Sequence, residues 1–61
     1  MSVDYQKLQI IHDMKICQEC MQKIATELLE RSEKHIDHRA NMLQASSRII
    51  GEWIQEIENE Q

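Results

Sequence analysis

The chain has 61 residues, no proline, a single glycine and a formal net charge of −4. A chain of this length forms one domain and buries only about 60% of its unfolded surface, so a metal, a disulfide or a second chain is expected to support it. Free duplex nucleic acid is a poor partner for an acidic protein. No apolar run approaches the roughly 20 residues of a membrane span, so we expect a cytoplasmic protein with reduced thiols.

The first half of the chain has the apolar periodicity of an amphipathic helix. We predict this helix over about residues 4–31, with Ser2 or Asp4 as its N-cap. Its apolar residues recur in steps of 4 and 3, and Ile11 and Ala25 widen the stripe that they form: Ile10, Met14, Cys17, Met21, Ile24 and Leu28. Cys17 is therefore expected to be a core or boundary residue that packs as a small hydrophobe.

The second half repeats the pattern and predicts a helix over about residues 35–58. Its stripe alternates large and small side chains and consists of Ile36, Ala40, Leu43, Ser47, Ile50, Ile54 and Ile57. A second stripe, Met42, Ile49 and Trp53, lies beside the first and is wider than one partner helix covers. Excess apolar surface of this kind usually contacts another chain. We therefore assign the interface to Met42, Ile49, Ile50, Trp53, Ile54 and Ile57.

Residues 30–35 are polar and interrupt the periodicity. We predict a turn over residues 32–35, with Ser32 or Asp37 capping the second helix, and hence an all-α helical hairpin as a single domain over residues 1–61. Two such hairpins are expected to form an antiparallel four-helix bundle, although the sequence does not fix whether their turns lie at the same end. The alternative is one long bent helix in a coiled coil, because neither glycine nor proline enforces the turn.

A metal site is the first functional possibility, because the sequence contains a Cys-x-x-Cys pair and a His-x-x-His pair: Cys17, Cys20, His35 and His38. Zinc needs about four such ligands around one point. The fourteen residues between Cys20 and His35 are strong helix formers and correspond to roughly 20 Å of helical rise, so the pairs are held apart in a continuous helix, and a hairpin also places them at different heights. We expect no cofactor. A zinc- or redox-dependent module through Cys17 and Cys20 stays the alternative.

Other charged segments suggest partners. Lys34, His38 and Arg39 are the only basic cluster and would carry any nucleic-acid binding. Glu52 and Glu56 belong to an acidic C-terminal segment, where like charges at a helix end cost stability and sometimes mark a surface for a basic partner. Gly51 indicates either a close helix approach together with Ser47 or fraying after Ile50. No phosphate loop, nucleophile elbow or convergent carboxylate pair is visible, so we do not expect an enzyme.

The layering of Ala40, Leu43, Ser47 and Ile50 on a hairpin of this length resembles the Rop family, whose members are dimeric four-helix bundles that bind RNA hairpins. The resemblance implies the bundle architecture and, as an alternative function, Rop-like RNA binding; no RNA-contacting residue can be aligned. In size and character the whole chain also resembles the short helical accessory proteins of lambdoid phage early regions.

These observations together predict a small regulatory protein of a phage or bacterium that is not an enzyme and acts as a helical homodimer by binding another protein. Trp53 is expected to be half exposed in a single hairpin and covered in a dimer. The partner protein is not identified by the sequence.

Overall fold

A computed structural model describes residues 3–34 and 36–60 and places them in two α-helices, α1 (Tyr5–Arg31) and α2 (His38–Glu58). The helices are antiparallel, as a contact between the start of α1 and the residues that follow α2 shows: Lys7 Nζ donates a hydrogen bond to the carbonyl oxygen of Glu60 at 2.8 Å. The chain measures 55 × 14 × 9 Å. The predicted all-α helical hairpin is therefore confirmed, and the alternative of one long bent helix is wrong.

The start of α1 is fixed by Asp4, one of the two predicted caps. Its carboxylate accepts a hydrogen bond from the backbone N–H of Lys7 at 3.0 Å, which satisfies one of the donors that a helix leaves free in its first turn. The helix continues to Arg31, as predicted. Ser32 then closes it, because its backbone N–H donates to the carbonyl oxygen of Leu29.

The second helix begins at His38, three residues later than the predicted start at residue 35. The reason is Asp37, which adopts an extended backbone and accepts a hydrogen bond from the N–H of Arg39 at 2.8 Å. The same carboxylate binds the Arg39 guanidinium at 2.9 Å. This side-chain hydrogen bond is the main reason why the pKa of Asp37 is lowered from its ordinary value of 3.8 to about 2.

The connection between the helices is longer than the predicted turn over residues 32–35 and continues to Asp37. It needs neither glycine nor proline, because the Ser32 hydroxyl donates across it to the carbonyl oxygen of Ile36 at 2.9 Å. Ile36 was expected in the apolar stripe of the second helix, but it precedes that helix and is 66% exposed. His35 lies outside the described residues.

The seam between α1 and α2 contains five buried residues: Ile11, Ala25, Ala40, Ser47 and Ile54. On α2 these buried positions follow the predicted stripe, with Leu43, Ile50 and Ile57 half-buried beside them. On α1 the stripe is rotated from the predicted one. Ile10, Cys17 and Ile24 are exposed, whereas Ile11 and Ala25, which were expected only to widen the stripe, face α2.

The rotation of α1 places Gln18 against α2, where its side chain replaces an apolar contact with a polar one. Gln18 Nε2 donates to the backbone carbonyl oxygen of Ser47 at 2.9 Å. A Cβ atom on Gly51 would lie 2.8 Å from the same nitrogen. Gly51 therefore provides room for the Gln18 amide, and since α2 continues to Glu58, the alternative that the helix frays after Ile50 is wrong.

Neither helix, over the residues that the structure describes, combines the length and the apolar character that a bilayer-spanning segment requires.

The Asp37 cap makes the stability of the hairpin sensitive to acid. Since its pKa is lowered in the folded chain, Asp37 contributes stability that is fully present above about pH 4 and is lost as the pH falls towards about 2. The variant Asp37→Asn keeps a capping oxygen but has no carboxylate to protonate, so its unfolding free energy should fall less steeply over this range. Urea unfolding at a series of pH values measures both proteins; parallel curves would contradict the role assigned to Asp37.

The contact between Gly51 and Gln18 predicts a non-additive pair of mutations. Gly51→Ala gains about 1 kcal/mol of helix propensity, but it must displace the Gln18 amide from Ser47, and a hydrogen bond is worth about 0.5–1.5 kcal/mol. The substitution should therefore be nearly neutral in the wild-type chain and stabilising by about 1 kcal/mol in a Gln18→Ala chain.

Urea unfolding of the four proteins in this cycle measures the coupling. Gln22→Ala, one turn along α1 from Gln18, is the matched control and should be additive with Gly51→Ala. An equal effect of Gly51→Ala in the wild-type and Gln18→Ala chains would contradict the contact.

Candidate functional site

The hairpin leaves many large apolar side chains in solvent. Among the described residues, ten are more than two-fifths exposed: Val3, Tyr5, Leu8, Ile10, Ile16, Ile24, Ile36, Met42, Ile49 and Trp53. Single exposed apolar residues are common on protein surfaces, whereas a contiguous group of them marks a binding surface. The question is therefore which of the ten lie together.

Three of these residues share one feature, that each immediately precedes a buried residue: Ile10, Ile24 and Trp53. Cys17 lies midway between Ile10 and Ile24, seven residues from each, and seven residues return to nearly the same side of a helix. The helices of a hairpin are antiparallel. Residues that are displaced from the buried stripe in the same rotational sense on α1 and on α2 therefore lie on the same side of the hairpin. Ile10, Cys17, Ile24 and Trp53 therefore share one side.

The two remaining members come from the second stripe of α2. Ile49 lies four residues before Trp53 and Met42 lies seven before Ile49, which continues the row along the helix. Met42 is 70% exposed and Trp53 is 51% exposed. We call this surface the open face and define it by Ile10, Cys17 and Ile24 of α1 and Met42, Ile49 and Trp53 of α2.

Two surface pockets support this assignment of sides. One pocket lies at the turn end of the open face and is lined by Arg31, seven residues beyond Ile24, and by Arg39, twice seven residues before Trp53. On the opposite side, Gln22 and Gln44 line another pocket.

The opposite side of the hairpin is polar. The only salt bridge between α1 and α2 among the described residues joins Lys15 Nζ to Glu58 Oε1 there, at 3.8 Å. Gln22, Gln44 and Arg48 line its pocket. Over residues 3–34 and 36–60, the two sides of the hairpin therefore differ in chemistry, and of the two only the open face offers a continuous apolar surface.

The exposed area of the chain is large for its mass. A compact monomer of 7.3 kDa exposes about 4,200 Å², whereas this chain exposes 5329 Å². Its radius of gyration is 14.8 Å, against about 10.5 Å for a compact domain of this length. The excess of about 1,100 Å² is similar to the roughly 800 Å² that each partner buries in a standard interface.

The predicted interface residues of α2 fall into two groups. Ile54 is buried in the seam, and Ile50 and Ile57 are half-buried beside it, so within one chain all three face α1. Met42, Ile49 and Trp53 face solvent on the open face.

The α1 half of the open face was missed, because Ile10, Cys17 and Ile24 were assigned to the core. The pattern of α1 gives no signal for it, because the contact that fixes the rotation joins Gln18 to two small residues of α2, Ser47 and Gly51.

Both cysteines are exposed and unbonded, which contradicts the expectation that Cys17 is a core or boundary residue. The reason is the rotation of α1, which brings Gln18 into the seam and turns Cys17 out onto the open face. Cys20 lies one turn further along α1. The two thiols are thus accessible to solvent in a single chain.

The histidine and cysteine pairs are far apart where the structure describes them. His38 is the first residue of α2, whereas Cys20 precedes the end of α1 by eleven residues, which is roughly 16 Å of helical rise. No three His, Cys, Asp or Glu side chains converge on a possible metal position within residues 3–34 and 36–60. His35, the fourth candidate ligand, lies outside these residues.

The charged candidates also have definite positions. Lys34, His38 and Arg39 surround the turn, but the Arg39 guanidinium is paired with Asp37, which reduces the positive charge there. Glu52 and Glu56 are exposed near the other end of the hairpin.

Comparisons with models of protein families, with curated proteins and with solved structures found no match.

Exposure of both thiols predicts that they can be replaced without loss of structure. Because neither side chain fills the seam, the variant Cys17→Ser, Cys20→Ser should retain the helicity of the wild-type protein, with a loss of unfolding free energy below about 1 kcal/mol. Circular dichroism and urea unfolding, each with and without a chelator, measure this. Stoichiometric metal in the wild-type protein, together with unfolding on chelation, would instead support a zinc module.

Proposed function

We propose that this chain is a non-enzymatic regulatory protein that works as a homodimer, in which the open faces of two hairpins meet in a four-helix bundle. The observation that carries the proposal is the open face itself, an apolar surface on one side of a hairpin whose other side is polar. A second copy of the chain carries the same apolar surface, and burial of such a surface is the main driving force of association.

The small seam supports the same proposal. Among the described residues, four apolar residues and Ser47 are buried within one hairpin, and Ala25 and Ala40 contribute little apolar area. Each fully buried Ile or Met side chain adds roughly 1.5–3 kcal/mol of favourable transfer free energy. Covering the open face would therefore add an apolar core comparable to the one that the single chain has.

The dimer would act by binding another protein, and we place this activity in the cytoplasm of a bacterium, where a phage could also express it. The surfaces left for such a partner are the polar side, where Leu8 is exposed among polar residues, and the outer side of α1, where Tyr5 and Ile16 are exposed. A second candidate function is thiol chemistry at Cys17 and Cys20, which is supported by the exposure of both side chains.

Trp53 provides the sharpest test of the homodimer. Truncating a large buried aromatic side chain costs about 3–5 kcal/mol, and 1.4 kcal/mol corresponds to a factor of ten in an equilibrium constant. Trp53→Ala should therefore raise the dimer dissociation constant by at least about 100-fold. Sedimentation equilibrium measures this constant, and thermal unfolding of the wild-type protein should shift to higher temperature as its concentration rises.

Tyr5→Ala is the matched control, because Tyr5 is an aromatic residue that is 77% exposed and lies outside the open face. It should leave the dissociation constant nearly unchanged. A wild-type chain that is monomeric at micromolar concentration would overturn the homodimer. A Trp53→Ala variant that stays dimeric but no longer binds its cellular partner would assign Trp53, Met42 and Ile49 to the partner's binding surface, with Glu52 and Glu56 at its rim.

A further inference from the structure

The two thiols of α1 lie close together on one side of the helix. Cys17 and Cys20 are three residues apart, a spacing at which helical neighbours have Cβ atoms about 5–6 Å apart. Counted from Gln18, which faces α2, Cys17 is turned by about 100° and Cys20 by about 160° in the same sense. Cys17 therefore stands on the open face and Cys20 at its outer edge, and both are exposed and unbonded.

One chain provides only half of a thiolate metal site. Structural zinc takes four ligands in a tetrahedron, and four cysteines are one of its usual ligand sets. Residues 3–34 and 36–60 contain no group of three His, Cys, Asp or Glu side chains that could hold a metal ion. The cysteine pair therefore lacks two ligands within the described part of its own chain, and a second copy carries the same two thiols.

The cysteine pair lies at the height where a two-fold axis would cross the hairpin. Gln18 is the central residue of α1, and Ser47 is next to the central residue of α2. The hydrogen bond from Gln18 to Ser47 places both centres at the same height. An axis at this height overlaps the helices of two copies over their full length, which buries the most apolar surface. The midpoint between Cys17 and Cys20 lies within about 1 Å of this height.

We propose that Cys17 and Cys20 of two chains together bind one Zn²⁺ at the two-fold axis of the homodimer. The inference rests on the proposed function, because the site is incomplete without the second copy. When the turns of the bundle lie at opposite ends, the axis sets α1 against α1 of the second copy, in opposite directions. Cys17 of each chain then lies nearly level with Cys20 of the other. At an interaxial distance of about 8–10 Å, the four side chains reach a common point between the helices.

The chemistry of four thiols favours zinc. Thiolates are soft ligands, and a tetrahedron of four suits Zn²⁺, which undergoes no redox reaction. Binding of one Zn²⁺ converts four thiols into four thiolates and releases four protons, so zinc affinity falls as the pH is lowered. Met21 and Ile24, each one turn beyond a cysteine, border the sulfurs with apolar side chains. Such an apolar border limits the access of water to the metal.

Zinc titration of the full-length, reduced and metal-free chain tests the site. Calorimetry should give one Zn²⁺ per two chains. Because only the dimer holds the complete site, sedimentation equilibrium should show that zinc strengthens dimerisation. At a free zinc concentration about 100 times the dissociation constant of the site, the dimer dissociation constant should fall about 100-fold. The helices should stay folded when a chelator removes the metal, because both thiols lie outside the seam.

Removal of the thiols should abolish the response to zinc. The variant Cys17→Ser, Cys20→Ser lacks all four ligands, so its dimer dissociation constant should be the same with and without the metal. Cys20→Ser alone leaves two thiols per dimer. It should weaken zinc binding by more than the roughly 10–100-fold that changes outside the ligand set cost. Circular dichroism should show that both variants keep their helices.

A displaced cysteine pair is the matched control. The chain with Cys17→Ala, Cys20→Ala, Ile24→Cys and Glu27→Cys keeps two thiols three residues apart, but moves them seven residues towards the turn. The pairs of the two copies then stand about 20 Å apart, so no site with four thiolates forms. Zinc should leave the dimer dissociation constant of this chain unchanged. Co²⁺ in place of Zn²⁺ should give the strong visible absorption of a tetrahedral thiolate site in the wild-type dimer and not in the control.

The outcomes separate the metal site from the homodimer. A dimer that takes up one Zn²⁺ per two chains and is strengthened by it supports the site. Three results overturn the site while the homodimer stands: a dimer that does not respond to zinc, one Zn²⁺ per chain, and a displaced pair that binds zinc as tightly as the wild-type chain. A chain that is monomeric both with and without zinc overturns the proposed function and the metal site with it.

Discussion

The close approach of α1 and α2 along a single seam is the constraint on which the other features depend. Two helices share only one line of contact, and here that line consists largely of small residues: Ala25, Ala40, Ser47 and Gly51. Small side chains let the helices pack closely, but they bury little apolar area. Among the described residues, Ile11 and Ile54 are the only large apolar side chains buried there, and the rotation of each helix turns the apolar residues of the open face to one side.

The rotation of α1 marks the limit of what its sequence predicts. The periodicity locates both helices, and on α2 it also selects the buried residues, because Ala40, Ser47 and Ile54 stand in one stripe with the large isoleucines. The sequence of α1 offers two alternative stripes that are displaced from each other by one position, and the prediction takes the stripe with the more apolar residues. The choice is wrong because Gln18 bonds to a backbone carbonyl of α2, a contact that no pattern within α1 contains.

The same distinction applies to the candidate site. Met42, Ile49 and Trp53 are recognisable from the sequence, since their spacing leaves them beside a stripe that is already complete. Ile10, Cys17 and Ile24 join them only after the partner helix has fixed which side of α1 is buried. The connection between the helices is a similar case. Because it contains neither glycine nor proline, its sequence predicts a turn only weakly. Hydrogen bonds of the Ser32 and Asp37 side chains to nearby backbone groups stabilise it instead.

The modest seam also bears on how long such a protein survives in a cell. A hairpin with few buried side chains opens often, and opened chains are degraded by proteases. If the open face is covered as proposed, paired chains are protected and solitary ones are not. The amount of protein would then rise more steeply than its rate of synthesis, because each new chain lengthens the lifetime of another. Under the proposed function, the response to gene dosage would then have a threshold.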